Sequence, residues 1–162
     1  MNYIIKKYLN VVAEWKYEEI EDRFERLRKK VKIKTGKEEI LDIELIKAIH
    51  HKRIEVIKDL HEQSREHYGM ALLLNELNLP HIEELIESNL KVLLHKQVIG
   101  EHKTAILATT GEGDYGSCIA CAKQNGRILT ITEALKEMPL PHKGCNFELF
   151  KGATPFCRCC YL

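Results

Sequence analysis

The chain has 162 residues, 44% of them hydrophobic, with 25 Lys+Arg against 24 Asp+Glu, six Cys and eight His. That hydrophobic fraction supports a buried core and excludes wholesale disorder, and the length suits one domain or a helical body carrying a small module. No apolar run approaches the roughly 20 residues that span a bilayer, and Met1–Lys7 lacks a signal-peptide core, so the expectation is a cytoplasmic protein that does not enter a membrane. Charge is balanced in both parts: residues 1–110 carry 19 positive and 19 negative side chains, residues 111–162 six and five. Net charge therefore does not mark a nucleic-acid binder.

In chain order, the body reads as helices. Ile5, Leu9, Val12, Ile20, Phe24, Leu27 and Val31 recur at mostly three- and four-residue intervals, which predicts a helix over about 3–32, ended at Gly36. Its acidic part (Glu14, Glu18, Glu19, Glu21, Asp22) precedes a basic one (Arg23, Arg26, Arg28, Lys29, Lys30, Lys32, Lys34). Pairs such as Glu19–Arg23 and Asp22–Arg26 suit a solvated helix face, and a phosphate-binding patch is the competing reading. A second helix is expected over about 38–66, with Tyr68-Gly69 as its bend or break and good helix formers again over 70–77. Asn78-Leu79-Pro80-His81 opens the next, to about residue 97, and a short last helix is expected over about 101–109.

Gly111, Gly113 and Gly116 then define a hinge over 111–117, dividing a helical body (1–110) from a C-terminal module (118–162) that holds every cysteine. In the module, Arg127–Ile131 reads as a short strand after a turn at Asn125-Gly126. Thr130 and Glu133 are spaced as a capping box for a helix over about 132–138, and Phe147–Phe150 suggests one more strand. The expected fold class is mainly α, a helical body followed by a small zinc-ribbon or treble-clef-like module.

The chemistry lies in the cysteines. Cys118-x-x-Cys121 and His142-x-x-Cys145 form two half-sites with equal ligand spacing, twenty residues apart, able to approach one ion from opposite sides. Three thiolates and an imidazole suit tetrahedral Zn²⁺ and disfavour Mg²⁺ or Ca²⁺, which prefer oxygen. Cys157 and Cys159 compete with His142 for the fourth place, so the candidate ligands are Cys118, Cys121, His142, Cys145, Cys157 and Cys159. Disulfides are the alternative, but two paired half-sites in a cytoplasmic chain favour metal. A redox C-x-x-C would need a βαβ setting, whereas a glycine-rich hinge precedes Cys118.

The series Cys118-x-x-Cys121, Gly126-Arg127-Ile128, Pro141-His142-x-x-Cys145 and Cys157-Arg158-Cys159 resembles the C-terminal motif of Mu F-type phage head-morphogenesis proteins. In that family the last elements are contiguous as His-x-x-Cys-Arg-Cys, whereas residues 146–156 intervene here. The resemblance covers about 114–160 and implies a virion or prophage assembly role.

Elsewhere there is no phosphate-binding loop and no nucleophile-elbow motif, and the seven body histidines include no Glu-x-x-His pair of the kind that builds metal sites inside helical bundles. Tyr115, Phe147, Phe150, Phe156 and Tyr161, interleaved with Arg127, Lys143, Lys151 and Arg158, could stack bases and contact phosphates, or simply pack beside the metal. The function expected is a non-enzymatic zinc-containing adaptor or assembly protein with a protein partner. The alternatives are a nucleic-acid-binding zinc protein and a metal-dependent nuclease or other hydrolase.

Overall fold

The computed structural model describes residues 38–108, 118–149 and 152–162. The helix expected over 3–32, the basic run within 23–34 and the hinge at 111–117 lie outside them. The protein is helix-rich with one small sheet, and the chain divides into two units, Met1–Lys58 and Asp59–Leu162. Helix α1 (Glu38–Val56) belongs to the first; the remaining described elements belong to the second.

The helix expected over 38–66 is broken at 57–59, and α2 then runs from Leu60 to Glu76, straight through Tyr68-Gly69. Asp59 is the reason. Its backbone is extended and its carboxylate accepts the Glu62 N–H at 2.8 Å, satisfying one of the free amides of a new helix. Helix α3 (Ile82–Val98) starts two residues after Pro80, with Glu83 and Glu84 in its first turn, where the helix dipole favours negative charge.

Helices α2 and α3 pack against each other. Ser64 meets Ser88 at 3.1 Å and His67 meets Glu84 at 2.7 Å. Partner numbers fall along α3 as they rise along α2, so the two run antiparallel. Ala71, Leu85 and Phe156 form a small core beneath this pair.

Gly100, at φ +83°, turns the chain out of α3. The next element is a strand, β1 (Lys103–Leu107), where a helix over 101–109 was expected. The run Thr104-Ala105-Ile106-Leu107 is too short for periodicity to separate helix from strand. Its partners decide: Thr104 and Ile106 are buried, with half-buried neighbours, in the alternation of a pleated strand.

β1 is the centre of a three-stranded antiparallel sheet ordered β2-β1-β3. On one side β2 (Ile128–Thr130) pairs Thr104 with Leu129, and Gly126 at φ +75° makes the turn that leads into it. On the other side β3 (Cys160–Tyr161) pairs Ile106 with Tyr161. The strand expected over 147–150 is not formed at 147–149, which are irregular.

Between Cys118 and β2 lies the single turn α4 (Ile119–Ala122). After β2, α5 (Ile131–Glu137) opens with the capping box read from the sequence: Thr130 Oγ1 accepts the Glu133 N–H at 3.2 Å, and Glu133 accepts the Thr130 N–H at 2.8 Å. Leu93 of α3, Ile106 of β1, Leu129 of β2 and Ile131, Ala134 and Leu140 around α5 close into one core. Cys121, Cys157, Cys159 and Tyr161 belong to that same core. The thiols are thus built into the packing of α3 and the sheet.

Candidate metal centre

The sheet delivers the cysteines from both of its edges. Cys118 and Cys121 sit on the turn that leads into β2, and Cys157 and Cys159 on the segment that leads into β3. Cys118 is the N-cap of α4, and its Sγ accepts the Cys121 N–H at 3.4 Å. This bond closes the C-x-x-C turn and directs both sulfurs to one side.

Cys145 arrives on a turn closed by its own N–H to the His142 carbonyl at 3.0 Å. A Cβ at Gly144 would stand 3.3 Å from His142 Cε1, so that ring would have to give by a few tenths of an ångström, and 3.5 Å from the Ala120 Cβ of α4, an ordinary contact. Along the C-terminal segment Cys157 and Cys159 are buried and Cys160 is exposed. The Arg158 guanidinium between them turns away, 3.8 Å above the Phe147 ring. Both thiols thereby share one face of the segment.

The result is a five-sulfur cluster. The sulfurs of Cys118, Cys121 and Cys145 all lie within 4.8 Å of one another, and so do those of Cys121, Cys157 and Cys159. None of the six cysteines is in a disulfide. Zn–S bonds near 2.3 Å make the edges of a ZnS₄ tetrahedron about 3.8 Å. Within each group of three, the sulfurs need only a small contraction to meet one ion.

His142 belongs to neither sulfur group. Its Nδ1 accepts the Gly144 N–H at 3.1 Å, while its backbone N–H donates to Cys157 Sγ at 3.3 Å. The mirrored spacing of His142-x-x-Cys145 thus gives a histidine that supports the cluster through its main chain. Sequence spacing does not separate a ring that ligates from an amide that donates.

The electrostatics divide the five thiols, two held below the usual value and three above it. The Cys159 thiol donates to Cys157 and, against burial and with help from the His142 and Cys159 N–H groups, brings the Cys157 thiol down to about 5. Burial opposes ionisation of Cys118, yet the Asn146 and Cys121 N–H groups and the Cys121 and Cys145 thiols together hold it below the usual thiol value. Burial, then the bond to Cys118, pushes Cys121 up, and burial pushes Cys145 up to about 11. Cys159 is raised chiefly because its proton is held by Cys157. Such a site has built-in donors for thiolates but does not ionise every thiol until a cation compensates the charge.

This donor set fits a soft, thiophilic ion. It could hold zinc with Cys118, Cys121, Cys145, Cys157 and Cys159 as the available ligands, and it offers no oxygen donor for Mg²⁺ or Ca²⁺.

Two other features went unread in the sequence. A cleft of about 730 Å³ borders the cluster, lined by Leu79, Ile82, Ile86 and Met138 on its apolar side and by His142 and Cys145 on the side of the thiols. No local motif announces it, because its walls come from three separated segments. In the helical pair, His67 and Glu84 bond at 2.7 Å across seventeen positions, beyond any single-helix motif. Of the basic residues considered for phosphate contact, Arg127 is paired with Glu137 at 2.6 Å and Arg158 lies on Phe147. Lys151 lies outside the described residues.

No protein-family model, curated protein or solved structure matches the chain. Among the described residues, no helix is long and apolar enough to cross a membrane.

Proposed function

We propose that the protein is a non-enzymatic adaptor or assembly protein whose C-terminal part is fixed by structural zinc. The observation that carries this reading is the convergence of five thiols from three distant segments, with backbone N–H groups directed at their sulfurs. Zinc takes Cys118, Cys121 and Cys145, and Cys157 or Cys159 in the fourth place. All four positions are then filled by the protein, which leaves no open site for a catalytic water.

The strands support a folding role for the ion. β2 has three residues and β3 two, and the cysteines lie on the segments leading into these short strands, where an ion would tie them together. On this reading the C-terminal part is a zinc-ribbon or treble-clef-like module. The motif resemblance to Mu F-type proteins favours assembly as the task, with another protein as the partner. A nucleic-acid role is the second reading, weakened because Arg127 is engaged by Glu137 and Arg158 by the Phe147 ring.

The experiment has two arms. Chelation of the reduced protein should release zinc and render the segment after Cys118 sensitive to protease while most helical circular dichroism persists; unchanged protease resistance would reject structural zinc. Salt-dependent retention on nucleic acid, abolished by neutralising Lys143, Lys151 and Arg158, would replace the adaptor reading with the nucleic-acid one.

A further inference from the structure

A tetrahedral ion uses four thiolates, and the structure gathers five. The five are arranged as two triangles, Cys118/Cys121/Cys145 and Cys121/Cys157/Cys159, with Cys121 as the shared corner. We propose that the cluster seats two soft d¹⁰ ions, the second held in the triangle of Cys121, Cys157 and Cys159, with the Cys121 thiolate bridging the pair. This rests on the structural-zinc reading and extends it from one ion to two: with both bound, Cys157 and Cys159 serve the second ion, so neither completes the shell of the first, and each ion has three thiolates.

Three observations carry the proposal. The first is distance: a trigonal set of M–S bonds near 2.3 Å has edges of about 4.0 Å, and both triangles lie inside 4.8 Å. The second is that each triangle has amide donors of its own. Cys118 receives the Cys121 N–H in the first triangle, and Cys157 receives the His142 N–H in the second.

The third is charge and burial. Cys121, Cys157 and Cys159 are 3%, 4% and 8% exposed, so thiolates there lie deep in the core. One divalent ion with four thiolates leaves two net negative charges and a fifth protonated thiol. Two divalent ions with five thiolates leave one net negative charge, a smaller charge to bury. The two sites also differ in access. Cys118 and Cys145 are partly exposed, whereas the second triangle is enclosed, so the ion held there is the slower to exchange.

The bridge uses ordinary thiolate chemistry. A deprotonated Cys121 sulfur has three lone pairs and donates one to each ion; the thiol protons pass to solvent as the ions enter, and no oxidation is involved.

The test is titration of the reduced, metal-free full chain with Cd²⁺ under anaerobic conditions, read by thiolate-to-metal absorption and by mass under non-denaturing conditions. The expected end point is two Cd²⁺ per chain. Cys159→Ser should lower it to one, and Cys160→Ser, which alters the cysteine outside both triangles, should leave it at two. Saturation of the unaltered chain at one Cd²⁺ would overturn the two-ion proposal and leave the single structural zinc standing. No binding at all would remove both. Two ions retained in Cys159→Ser, or one lost in Cys160→Ser, would place the second ion elsewhere and also overturn the proposal.

Discussion

Leu93→Ala probes whether the thiols and the hydrophobic core form one cooperative unit. Leu93 is fully buried on α3, beside Ile106, Leu129, Ala134 and Leu140 and the cysteines of the cluster. Large-to-small changes at such sites cost about 2–5 kcal/mol, rising with the cavity that remains. Ile106, Ala134 and Leu140 are themselves at most 1% exposed, with Ile106 held by strand pairing and Ala134 by a capped helix, so little collapse into the cavity is available. The expected loss is therefore in the upper part of that range, about 3–5 kcal/mol. The assay is urea unfolding of the reduced chain, with alkylation rates followed at Cys157 and Cys159. If those thiols become accessible only when the unit opens, each 1.4 kcal/mol speeds labelling tenfold, giving roughly 100- to 4,000-fold in all. A loss below about 1 kcal/mol, or unchanged labelling of Cys157 and Cys159 in a clearly destabilised variant, would refute the shared core.

The other expectations are smaller. Thr130→Ala removes the N-cap of α5 and should cost about 1 kcal/mol in denaturant unfolding, since it deprives the Glu133 N–H of its acceptor. The Thr130 N–H and hydroxyl hold the Glu133 carboxyl below its usual value. Its contribution is therefore present above the unfolded-state value near 4.5 and is lost as pH falls through the lower folded value; Glu133→Gln should abolish that acid-limb dependence of stability. Asn75→Ala removes a fully buried amide whose Nδ2 donates to the Thr154 carbonyl at 2.7 Å and to its hydroxyl at 2.9 Å. The expected cost is about 1–3 kcal/mol, with faster proteolysis near residues 152–156, just ahead of Cys157.

Much of the module was legible because its signals are local. The capping box at Thr130/Glu133, the turn at Gly126 and the C-x-x-C half-site each depend on residues within four positions of one another. What escaped depends on distant partners. The strand at 103–107 reads as a helix until β2 and β3 are placed on either side of it. β3 itself has only two residues and carries no period to detect. The break at 57–59 did have a local signal, Asp59 three positions before Glu62, but it is masked by apolar spacing that continues through Ile57 and Leu60. The six candidate ligands were all visible, yet the sulfur groups and the exclusion of the His142 ring from them emerge only where the loops meet.

X-ray absorption at the zinc edge of the purified, reduced protein examines the thiolate cluster directly. An all-sulfur first shell near 2.3 Å is expected. A shell dominated by nitrogen or oxygen, or protein that folds with no zinc bound, would contradict a metal held by these cysteines.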